Sequence, residues 1–332
     1  MKAAVIGVGS MGANHARVYS ELAEVDLVGV ADVNDVAAHR VGRLRNTQAF
    51  SDYRDMLETC KPDIVSVAVP TQFHHQVVMN TLDAGCNVLV EKPIAATVAE
   101  GKEMSAHAKA KGLKLMVGHI VRFNPATQML KSQLDIGALG QIFQIRCRRL
   151  GPFPTRIQDV GVVIDLATHD LDIMSFLIGS NVVRLYAETE QKIHSAYEDT
   201  VVGTIRFANG VLGSLNVDWL TPTKIRELAI TGERGMFIVD DLNQELYFYE
   251  NQEASDDQWS NLALLHGVSA GRMIRYPVAR REPLRNELEA FAAAVRDDLP
   301  PPVSAEDGLA ALDLAQALVR SGQTGLVVEM RW

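Results

Sequence analysis

The chain has 332 residues, of which 47% are hydrophobic and 22% charged, the balance of a soluble globular protein long enough for two domains. Its net charge of −9 disfavours nucleic acid as a general partner, because phosphate binding requires a basic surface. The three cysteines, Cys60, Cys86 and Cys147, lack the spacing of a metal site or a disulfide framework, so we expect no bound metal.

The chain opens with an apolar strand that leads directly into a glycine-rich turn, which leaves no room for a signal peptide. The longest apolar runs, such as Ile64–Pro70, are too short to span a membrane. We therefore expect a cytoplasmic protein whose partners include neither a membrane nor nucleic acid.

The first third of the chain alternates short apolar runs with amphipathic stretches. The predicted strands are Lys2–Ile6, Leu27–Ala31, Ile64–Val69, Val88–Val90 and Lys114–Val117. The predicted helices are Ala13–Leu22, Val36–Leu44, Tyr53–Thr59, His75–Ala84 and Val98–Lys111. Continuous Val, Ile and Ala runs separated by helices predict a doubly wound parallel sheet covered on both faces, an α/β Rossmann domain. Gly85 and Gly112 each follow a helical run, as glycines at helix C-termini do.

The pattern changes after Gly118, so we predict a first domain of residues 1–118 and a second of residues 119–332. The second domain begins with a helix start at Asn124–Pro125, where Asn is the cap and Pro occupies the first turn. The elements that follow are a strand at Ile142–Arg149, a loop at Gly151–Asp159 and a helix at Leu166–Leu177.

The middle of the second domain consists mainly of strands joined by turns. They are predicted at Val182–Glu188, Thr200–Phe207, Val211–Asp218, Lys224–Thr231, Gly235–Asp240 and Glu245–Tyr249. Asn209-Gly210 between two apolar runs indicates a hairpin, and strands without intervening helices predict an antiparallel or mixed sheet in an α+β domain. Glu253–Arg281 is polar and irregular, and two helices follow at Glu287–Arg296 and Ala305–Ser321.

Gly7, Gly9 and Gly12 form a G-x-G-x-x-G motif between the first strand and the first helix, a context that predicts a dinucleotide-binding turn. Gly7 allows the tight turn, Gly9 lets the backbone approach a pyrophosphate, and Gly12 lets the helix pack closely on the strand. The helix N-terminus, at Ser10 and Met11, offers N–H groups and positive potential to the phosphates.

Asp32 ends the second strand, 20 residues after Gly12, where an acidic side chain accepts hydrogen bonds from the adenosine ribose. It would repel a 2′-phosphate, and the next residues, Val33 and Asn34, carry no compensating positive charge. We therefore predict NAD, rather than NADP, as the cofactor.

Three further motifs resemble those of the glucose–fructose oxidoreductase/inositol dehydrogenase (Gfo/Idh/MocA) family over essentially the whole chain. They are Val90-Glu91-Lys92-Pro93, Pro70-Thr71-Gln72-Phe73-His74 and the segment from Gly161 to Asp170 that contains Asp165 and His169. The stretch Arg149–Val162 looks most like that of UDP-N-acetylglucosamine 3-dehydrogenases. One departure is that a single glycine, Gly161, precedes the Asp165 segment, where the family pattern often has two or three.

The resemblance implies a Rossmann domain followed by a large, mostly antiparallel open sheet, through which homodimers or homotetramers form. It also implies cofactor contacts from Pro70, Thr71, His74, Glu91 and Lys92, with His74 lining the nicotinamide pocket. The implied reaction is the NAD-dependent oxidation of a sugar hydroxyl, most closely the 3-hydroxyl of a UDP-N-acetylhexosamine.

The side chains themselves indicate the same chemistry. Asp165 and His169 are four residues apart, so on a helix they share one face and place a carboxylate beside an imidazole that can accept a proton. Lys92 follows a strand's C-terminal end, where open α/β sheets build their sites. An ammonium group there would stabilise a developing alkoxide. We assign His169 as the base, Asp165 as its orienting partner and Lys92 as stabiliser and proton relay, although Lys92 remains an alternative base.

A nucleotide-sugar diphosphate needs cationic donors, and Arg matches phosphate geometry best. Three arginines flank the expected site and are candidate substrate ligands: Arg122, Arg149 and Arg156. His119 and Asn124 are further candidates beside them, with Lys92, Asp165 and His169. The arginines could instead pair with acidic neighbours such as Asp159.

Two other functions stay open. One is dehydrogenation of a free sugar, a sugar phosphate or a cyclitol; the other is a non-catalytic NAD-binding regulator. The presence of Lys92, Asp165 and His169 together argues against the regulator, because a pure binder needs no base.

Overall fold

The computed structural model describes residues 1–154, 160–194, 196–252 and 269–331. The chain forms two compact units, and both are discontinuous in sequence. The first unit contains Met1–Phe123 and Glu282–Asp313, and the second contains Asn124–Arg281 and Leu314–Trp332. The domains predicted from the sequence were contiguous, 1–118 and 119–332; the structure differs because a C-terminal segment returns to the first unit.

The first unit contains a fully parallel sheet in the order β3-β2-β1-β4-β5-β6, which is the strand order of a Rossmann fold. Its strands are β1 (Lys2–Ile6), β2 (Asp26–Ala31), β3 (Gln48–Phe50), β4 (Ile64–Val67), β5 (Asn87–Glu91) and β6 (Leu115–Gly118). The continuous apolar sequences follow from burial on both faces, since all four residues of β4 and all four of β6 are buried. The predicted fold class is confirmed. The strand β3 was missed because its three residues are only partly buried and start with Gln48.

Five helices connect these strands: α1 (Ser10–Glu21), α2 (Asp35–Arg45), α3 (Tyr53–Cys60), α4 (His74–Asp83) and α5 (Val98–Lys111). The helix α5 begins with a capping box between Thr97 and Glu100, which satisfies two backbone N–H groups. Gly85 and Gly112 follow their helices with left-handed φ values of 82° and 65°, so both predicted terminal glycines are confirmed.

The C-terminal part of the first unit packs into the Rossmann core. Phe291 of α8 (Pro283–Arg296) is fully buried in the same apolar cluster as the strands of the parallel sheet. Gly308 lies against Val117 of β6, where an added Cβ would come within 2.6 Å of the valine side chain. Ion pairs join Arg17 to Glu282 and Glu21 to Arg285. The helix α9 (Ala305–Thr324) contributes its first residues to this unit and its remainder to the second.

The second unit contains a mixed sheet in the order β14-β13-β12-β11-β7-β10-β9-β8-β15. Its strands are β7 (Ile142–Pro152), β8 (Val182–Glu190), β9 (Thr200–Phe207), β10 (Leu212–Asp218), β11 (Leu220–Gly232), β12 (Gly235–Asp240), β13 (Glu245–Gln252), β14 (Ser269–Arg275) and β15 (Val328–Glu329). Only the β7–β10 pair is parallel among the pairings described. This arrangement confirms the predicted mostly antiparallel sheet, including the hairpin at Asn209-Gly210, where Gly210 has a φ of 90°.

One face of this sheet carries helices. Met174 of α7 (Thr168–Ile178) and Leu318 of α9 lie over Gly213 and Gly203, respectively. Burial alternates strictly along β9, because residues on the opposite face, such as Val202 (54% exposed), are not covered by any described residue. A further helix described in this unit is α6 (Pro125–Asp135), which is capped by Asn124 as predicted.

The prediction for Glu253–Arg281 was wrong at its C-terminal end, because β14 pairs antiparallel with β13 there. The strand gave no clear apolar alternation, since Met273 and Ile274 both stay partly exposed at the sheet edge. Among the described residues, no helix combines the length and the apolar composition that crossing a membrane requires.

Candidate active site

The glycine motif forms the turn between β1 and α1. Gly7 has a φ of 85°, and a Cβ on it would lie 2.6 Å from the carbonyl oxygen of Ala68. A Cβ on Gly12 would collide with the carbonyl oxygen of Gly7, whereas a Cβ on Gly9 would meet no atom within 4 Å. Gly7 and Gly12 are therefore required by the protein's own packing, and Gly9 borders open space.

That open space adjoins the start of α1. Gly9 is the N-cap of the helix, and no side chain supplies a capping hydrogen bond. The first N–H groups of the helix, those of Ser10 and Met11, would therefore stabilise an anion bound at this end. The bare backbone at Gly9 and the helix start fit the pyrophosphate of a dinucleotide.

Asp32 follows β2 and lies against the glycine turn. Its Oδ2 accepts a hydrogen bond of 2.7 Å from Val8 N–H, and its Oδ1 accepts one of 2.8 Å from Asn34 N–H. The carboxylate is thereby fixed in orientation beside the turn, and the position fits its predicted contact with the ribose. The next residue, Val33, is uncharged and 95% exposed, so it neither compensates the charge of Asp32 nor shields the carboxylate from solvent.

The loops after β4 and β5 carry the next predicted cofactor residues. Pro70 and Thr71 begin a short 3-10 turn, Thr71–Phe73. The imidazole of His74 lies within 2.9 Å of two carbonyl oxygens, of Pro93 and Val69, and so ties the two loops together. Burial lowers the pKa of His74, although the two carbonyls act in the opposite direction. The structure therefore gives His74 a role in holding these loops, in addition to its predicted place in the nicotinamide pocket.

Glu91 is buried and is held by a histidine of α1. The His15 Nε2 lies 3.0 Å from Glu91 Oε1, and its Nδ1 lies 2.9 Å from Ser66 Oγ. The Tyr19 hydroxyl completes the chain at 3.0 Å from Ser66. Burial opposes ionisation of Glu91, but His15 and Lys92 outweigh it and lower the pKa of the carboxyl. His15 and Tyr19 could have been found from their i, i+4 spacing on the buried face of α1.

Lys92 is half-buried directly after β5, and its N–H donates to Glu91 Oε2 at 3.3 Å. His119 is buried directly after β6. Because β5 and β6 are adjacent and parallel, both residues lie at the same edge of the sheet, where open α/β sheets build their sites.

Asp165 and His169 lie in consecutive segments of the second unit. A π-helical turn, Val163–Ala167, contains Asp165 and leads into α7, whose second residue is His169. Both side chains are half-buried. The predicted helix started at Leu166, so the extra turn was missed; such π turns occur frequently at functional sites.

Glu198 holds the start of this segment, and sequence reasoning missed it. Its Oε1 accepts a 3.1 Å hydrogen bond from Val163 N–H, and its main-chain carbonyl accepts a 2.9 Å bond from Val162 N–H. A side chain on Gly161 would collide with the Glu198 carboxylate. Burial raises the pKa of Glu198. Gly161 thus leaves room for the Glu198 carboxylate in this position.

Two of the three arginines predicted to bind a diphosphate form ion pairs with aspartates of the protein itself. Arg149 is buried, and its Nε lies 2.9 Å from Oδ1 and 3.0 Å from Oδ2 of Asp170. Arg122 is also buried and pairs with Asp307 at 3.2 Å. Arg156 lies outside the described residues. Arg149 and Arg122 thus pair with acidic residues, which was the alternative left open by the sequence. The partners are Asp170 and Asp307, which are not sequence neighbours of the arginines. Asp159, the acid named from the sequence, lies outside the described residues.

The buried arginine cluster contains a second aspartate. Asp241 Oδ2 lies 3.8 Å from an Arg149 guanidinium nitrogen, and Asp241 Oδ1 accepts a 3.3 Å hydrogen bond from Thr127. Asn124, a predicted substrate ligand, is buried, caps α6 and donates to the Asp241 carbonyl at 3.0 Å. Burial raises the pKa of Asp241 to about 6, although the Arg149 charge acts in the opposite direction.

The structure thus brings together the predicted residues within each unit. In the first, Asp32 contacts the glycine turn, Glu91 ends β5 and Lys92 follows it. In the second, His169 and Asp165 lie on one continuous segment, with Arg149 anchored to Asp170 directly after His169. Within the described part of the chain, no group of three His, Cys, Asp or Glu side chains is arranged to hold a metal ion.

The family models match almost the entire chain. Residues 1–119 match the oxidoreductase family with an NAD-binding Rossmann fold, and residues 131–330 match its C-terminal alpha/beta domain. The chain belongs to the Gfo/Idh/MocA oxidoreductase family. Its first unit is accordingly an NAD-binding Rossmann domain, which agrees with the geometry of the glycine turn.

Several characterised relatives align over most of the chain. A UDP-N-acetylglucosamine 3-dehydrogenase of Acidithiobacillus ferrooxidans is 28% identical over 89% of this chain and 88% of its own. A D-glucoside 3-dehydrogenase of Escherichia coli is 29% identical, covering 99% and 97%. A myo-inositol 2-dehydrogenase of Thermotoga maritima is 25% identical, covering 97% and 96%.

Solved structures show the same fold. The UDP-N-acetylglucosamine 3-dehydrogenase GnnA from Acidithiobacillus ferrooxidans superposes with a TM-score of 0.85 at 28% identity, covering 97% of both chains. The WlbA dehydrogenase from Bordetella pertussis, solved with NADH and UDP-GlcNAcA, has a TM-score of 0.81 at 24% identity over 100% of this chain and 99% of its own. At that identity the likeness to WlbA concerns the fold alone.

The open space at Gly9 gives a test of the cofactor turn. We expect Gly9→Val to lower NAD affinity by about a hundredfold or more, because the side chain would occupy the space of the pyrophosphate. Calorimetric titration measures the affinity. Since a Cβ at Gly9 touches no protein atom, thermal unfolding without NAD should stay at the wild-type temperature. A control in the second unit, Gly151→Ala, should keep wild-type affinity, and unchanged binding by Gly9→Val would overturn the assignment.

The raised pKa of Asp241 predicts a pH-dependent stability. The ordinary value is 3.8 and the folded value about 6, so the stabilisation from this proton is complete below pH 3.8 and is lost as the pH rises through about 6. Asn cannot ionise. The free energy of unfolding of Asp241→Asn minus that of wild type should therefore be larger at pH 8 than at pH 5, by about 1 kcal/mol, so the variant is relatively more stable at pH 8. Denaturant titrations measure it, with the exposed Asp55→Asn as control; a difference of opposite sign would contradict the assignment.

Proposed function

We propose that the protein is an NAD-dependent dehydrogenase that oxidises a secondary hydroxyl of a sugar, namely the 3-hydroxyl of a UDP-N-acetylhexosamine. The observation that carries this proposal is the nearly full-length likeness to the Acidithiobacillus ferrooxidans UDP-N-acetylglucosamine 3-dehydrogenase. The likeness holds in sequence, at 28% identity, and in structure, at a TM-score of 0.85.

The first unit would hold the cofactor. The backbone at Gly9 and the N–H groups at the start of α1 would bind the pyrophosphate, and Asp32 would bind the adenosine ribose. Bound NAD supplies the hydride acceptor. The loops after β4 and β5, tied together by His74, would keep Pro70, Thr71 and Lys92 at one edge of the sheet.

The second unit would supply the proton acceptor. In this proposal His169 takes the proton of the substrate hydroxyl, and Asp165 orients the imidazole. Lys92 stabilises the alkoxide that forms as the proton leaves. Two anchors support His169 from within its unit: Glu198 caps the π turn, and the Arg149–Asp170 ion pair fixes the residue that follows it.

The structure removes one argument for a nucleotide-sugar substrate. Arg122 and Arg149 are buried in ion pairs. Exchanging the partner of Arg149 for a phosphate would leave the buried Asp170 carboxylate uncompensated. The diphosphate therefore depends on Arg156 or on other donors, and the proposal of this substrate depends on the likeness to the 3-dehydrogenase.

A second candidate, a dehydrogenase of a free sugar or cyclitol, is favoured by two relatives. The Escherichia coli D-glucoside 3-dehydrogenase is 29% identical and aligns over 99% of this chain, and the Thermotoga maritima enzyme acts on myo-inositol by name. A non-catalytic regulator is disfavoured because Lys92, Asp165 and His169 are all present.

We also propose that two or four copies associate through the uncovered face of the mixed sheet. Apolar side chains there are exposed in the single chain: Val202, Leu212, Tyr249 and Met273. Burial of such a patch against a second copy would remove it from water.

The catalytic assignment predicts a separation of turnover from cofactor binding. Lys92→Ala and His169→Ala should each lower kcat by at least about a hundredfold, the loss expected for a positioned proton-transfer group, while NAD affinity stays near wild type. Two exposed residues, Lys102 and His39, provide the matched controls Lys102→Ala and His39→Ala, which should retain wild-type kcat. Near-normal turnover in His169→Ala would move the base role to Lys92.

The substrate assignment predicts the order of kcat/KM across a panel. UDP-N-acetylglucosamine and its uronic acid should exceed glucose 6-phosphate, methyl glucoside and myo-inositol, with NAD preferred over NADP. Arg156→Ala should raise KM for the nucleotide sugar and leave that for methyl glucoside unchanged. The highest kcat/KM on a sugar or cyclitol without a nucleotide, with no effect of Arg156→Ala, would leave the second candidate in place.

A further inference from the structure

A pocket of 730 Å³ lies within the second unit, and none of the residues assigned above to the cofactor or to catalysis lines it. Its walls are the end of β8, residues 196–198, the residues before Asp165 and the second half of α9. The volume lies within the range of small-molecule sites in proteins.

The pocket is lined with groups that both donate and accept hydrogen bonds. Its lining includes the carboxamide residues Gln191, Gln316 and Gln323 and the hydroxyl residues Thr189 and Tyr197. The Gln191 amide nitrogen already donates to the His194 carbonyl at 2.7 Å. Carboxamides and hydroxyls each offer donors and acceptors, which matches the hydroxyls of a carbohydrate.

The charge of the described lining does not favour anions. Among its described residues, Arg320 is the one cation, whereas Glu190 and Glu198 supply two carboxylates. Glu190 is paired with Lys192 at 2.9 Å, and Glu198 has a raised pKa because it is desolvated. A phosphate or nucleotide would therefore meet no excess of positive charge there, so a neutral ligand fits best.

The wall that contains Tyr197 is fixed by its neighbours. The Nδ1 of His194 accepts hydrogen bonds from the N–H groups of Ala196 and Tyr197, at 3.0 and 3.1 Å. The Tyr197 ring packs edge-on against the His194 imidazole, with 5.4 Å between the centroids. An ordered aromatic ring beside polar groups suits the C–H face of a sugar, because it offers apolar area at little entropic cost.

We propose that this pocket binds a neutral saccharide, as a subsite separate from the residues that carry the oxidation. The Arg320 guanidinium and the Gln323 carboxamide bind its hydroxyls, and the Tyr197 ring contacts its carbon face.

The subsite is joined to the catalytic segment through Glu198, a step that rests on the proposed function. The same carboxylate lines the pocket and accepts the Val163 N–H that begins the segment of Asp165 and His169. A saccharide hydroxyl that binds Glu198 therefore orders this turn, and the Val163 amide should exchange its hydrogen more slowly when saccharide is bound.

Binding can be measured without turnover, so failure of the dehydrogenase proposal would not affect the result. Saturation-transfer NMR and calorimetry would compare glucose and maltose with glucose 6-phosphate on the full chain. We expect the neutral sugars to bind and Arg320→Ala and Gln323→Ala to weaken them at least about tenfold. Both sites lie on the exposed side of a helix where Ala is well tolerated. The control Arg184→Ala, at an exposed strand position outside the pocket, should bind as wild type.

A catalytic-site variant separates the two possible locations. Sugar binding that persists in Lys92→Ala and is lost in Arg320→Ala supports the pocket. Binding lost in Lys92→Ala and retained in Arg320→Ala assigns the sugar to the catalytic residues and overturns the proposal. Absence of neutral-sugar binding in wild type, or preferential binding of glucose 6-phosphate, overturns it as well.

Discussion

The approach of Gly12 to the carbonyl of Gly7 is the constraint on which the rest of the first unit depends. Because no Cβ fits between them, α1 begins directly against the turn. This position places His15, three residues later, between Ser66 on β4 and Glu91 on β5. The orientation of Glu91 in turn fixes the backbone of Lys92. The glycine turn and Lys92, the proposed catalytic lysine, are distant in sequence and are thereby linked by one helix and one buried histidine.

In the second unit, a buried ion pair positions the segment that contains His169. The Arg149–Asp170 pair is buried, so its desolvation is compensated only while both partners remain in place. Arg149 lies on β7, the central strand of the sheet, and Asp170 lies on α7, the helix that also contains His169. Glu198 fixes the same segment at its other end. The π turn between these two anchors thus has little freedom, which is what a positioned proton acceptor requires.

The sequence was most informative where local chemistry decides the structure. Continuous apolar runs gave the parallel strands, and glycine spacing gave the cofactor turn, because each depends on neighbours within a few residues. Three strands were missed: Gln48–Phe50 is short and partly buried, and Ser269–Arg275 and Val328–Glu329 lie at the two edges of the mixed sheet, where no alternation is needed. The site was less predictable where pairing is long-range. The partner of Arg122 is 185 residues away at Asp307, and no local pattern distinguishes a buried arginine of this kind from a phosphate ligand. Likewise Glu198 carries no motif, and its contacts with Val163 and Gly161 appear only in the structure.

The interleaved chain has a consequence for how the molecule can be divided. The first unit needs Phe291 and its neighbours to complete an apolar core, while the second needs the last turns of α9, where Leu318 covers Gly203. No single cut at the boundary after Phe123 yields two complete folding units: the N-terminal fragment would lack two helices, and the C-terminal fragment would carry their apolar surfaces exposed. The same order applies during synthesis on the ribosome. All strands of the Rossmann sheet are translated long before the residues of α8 that complete its apolar core, so the first unit cannot complete its core until most of the chain has been made.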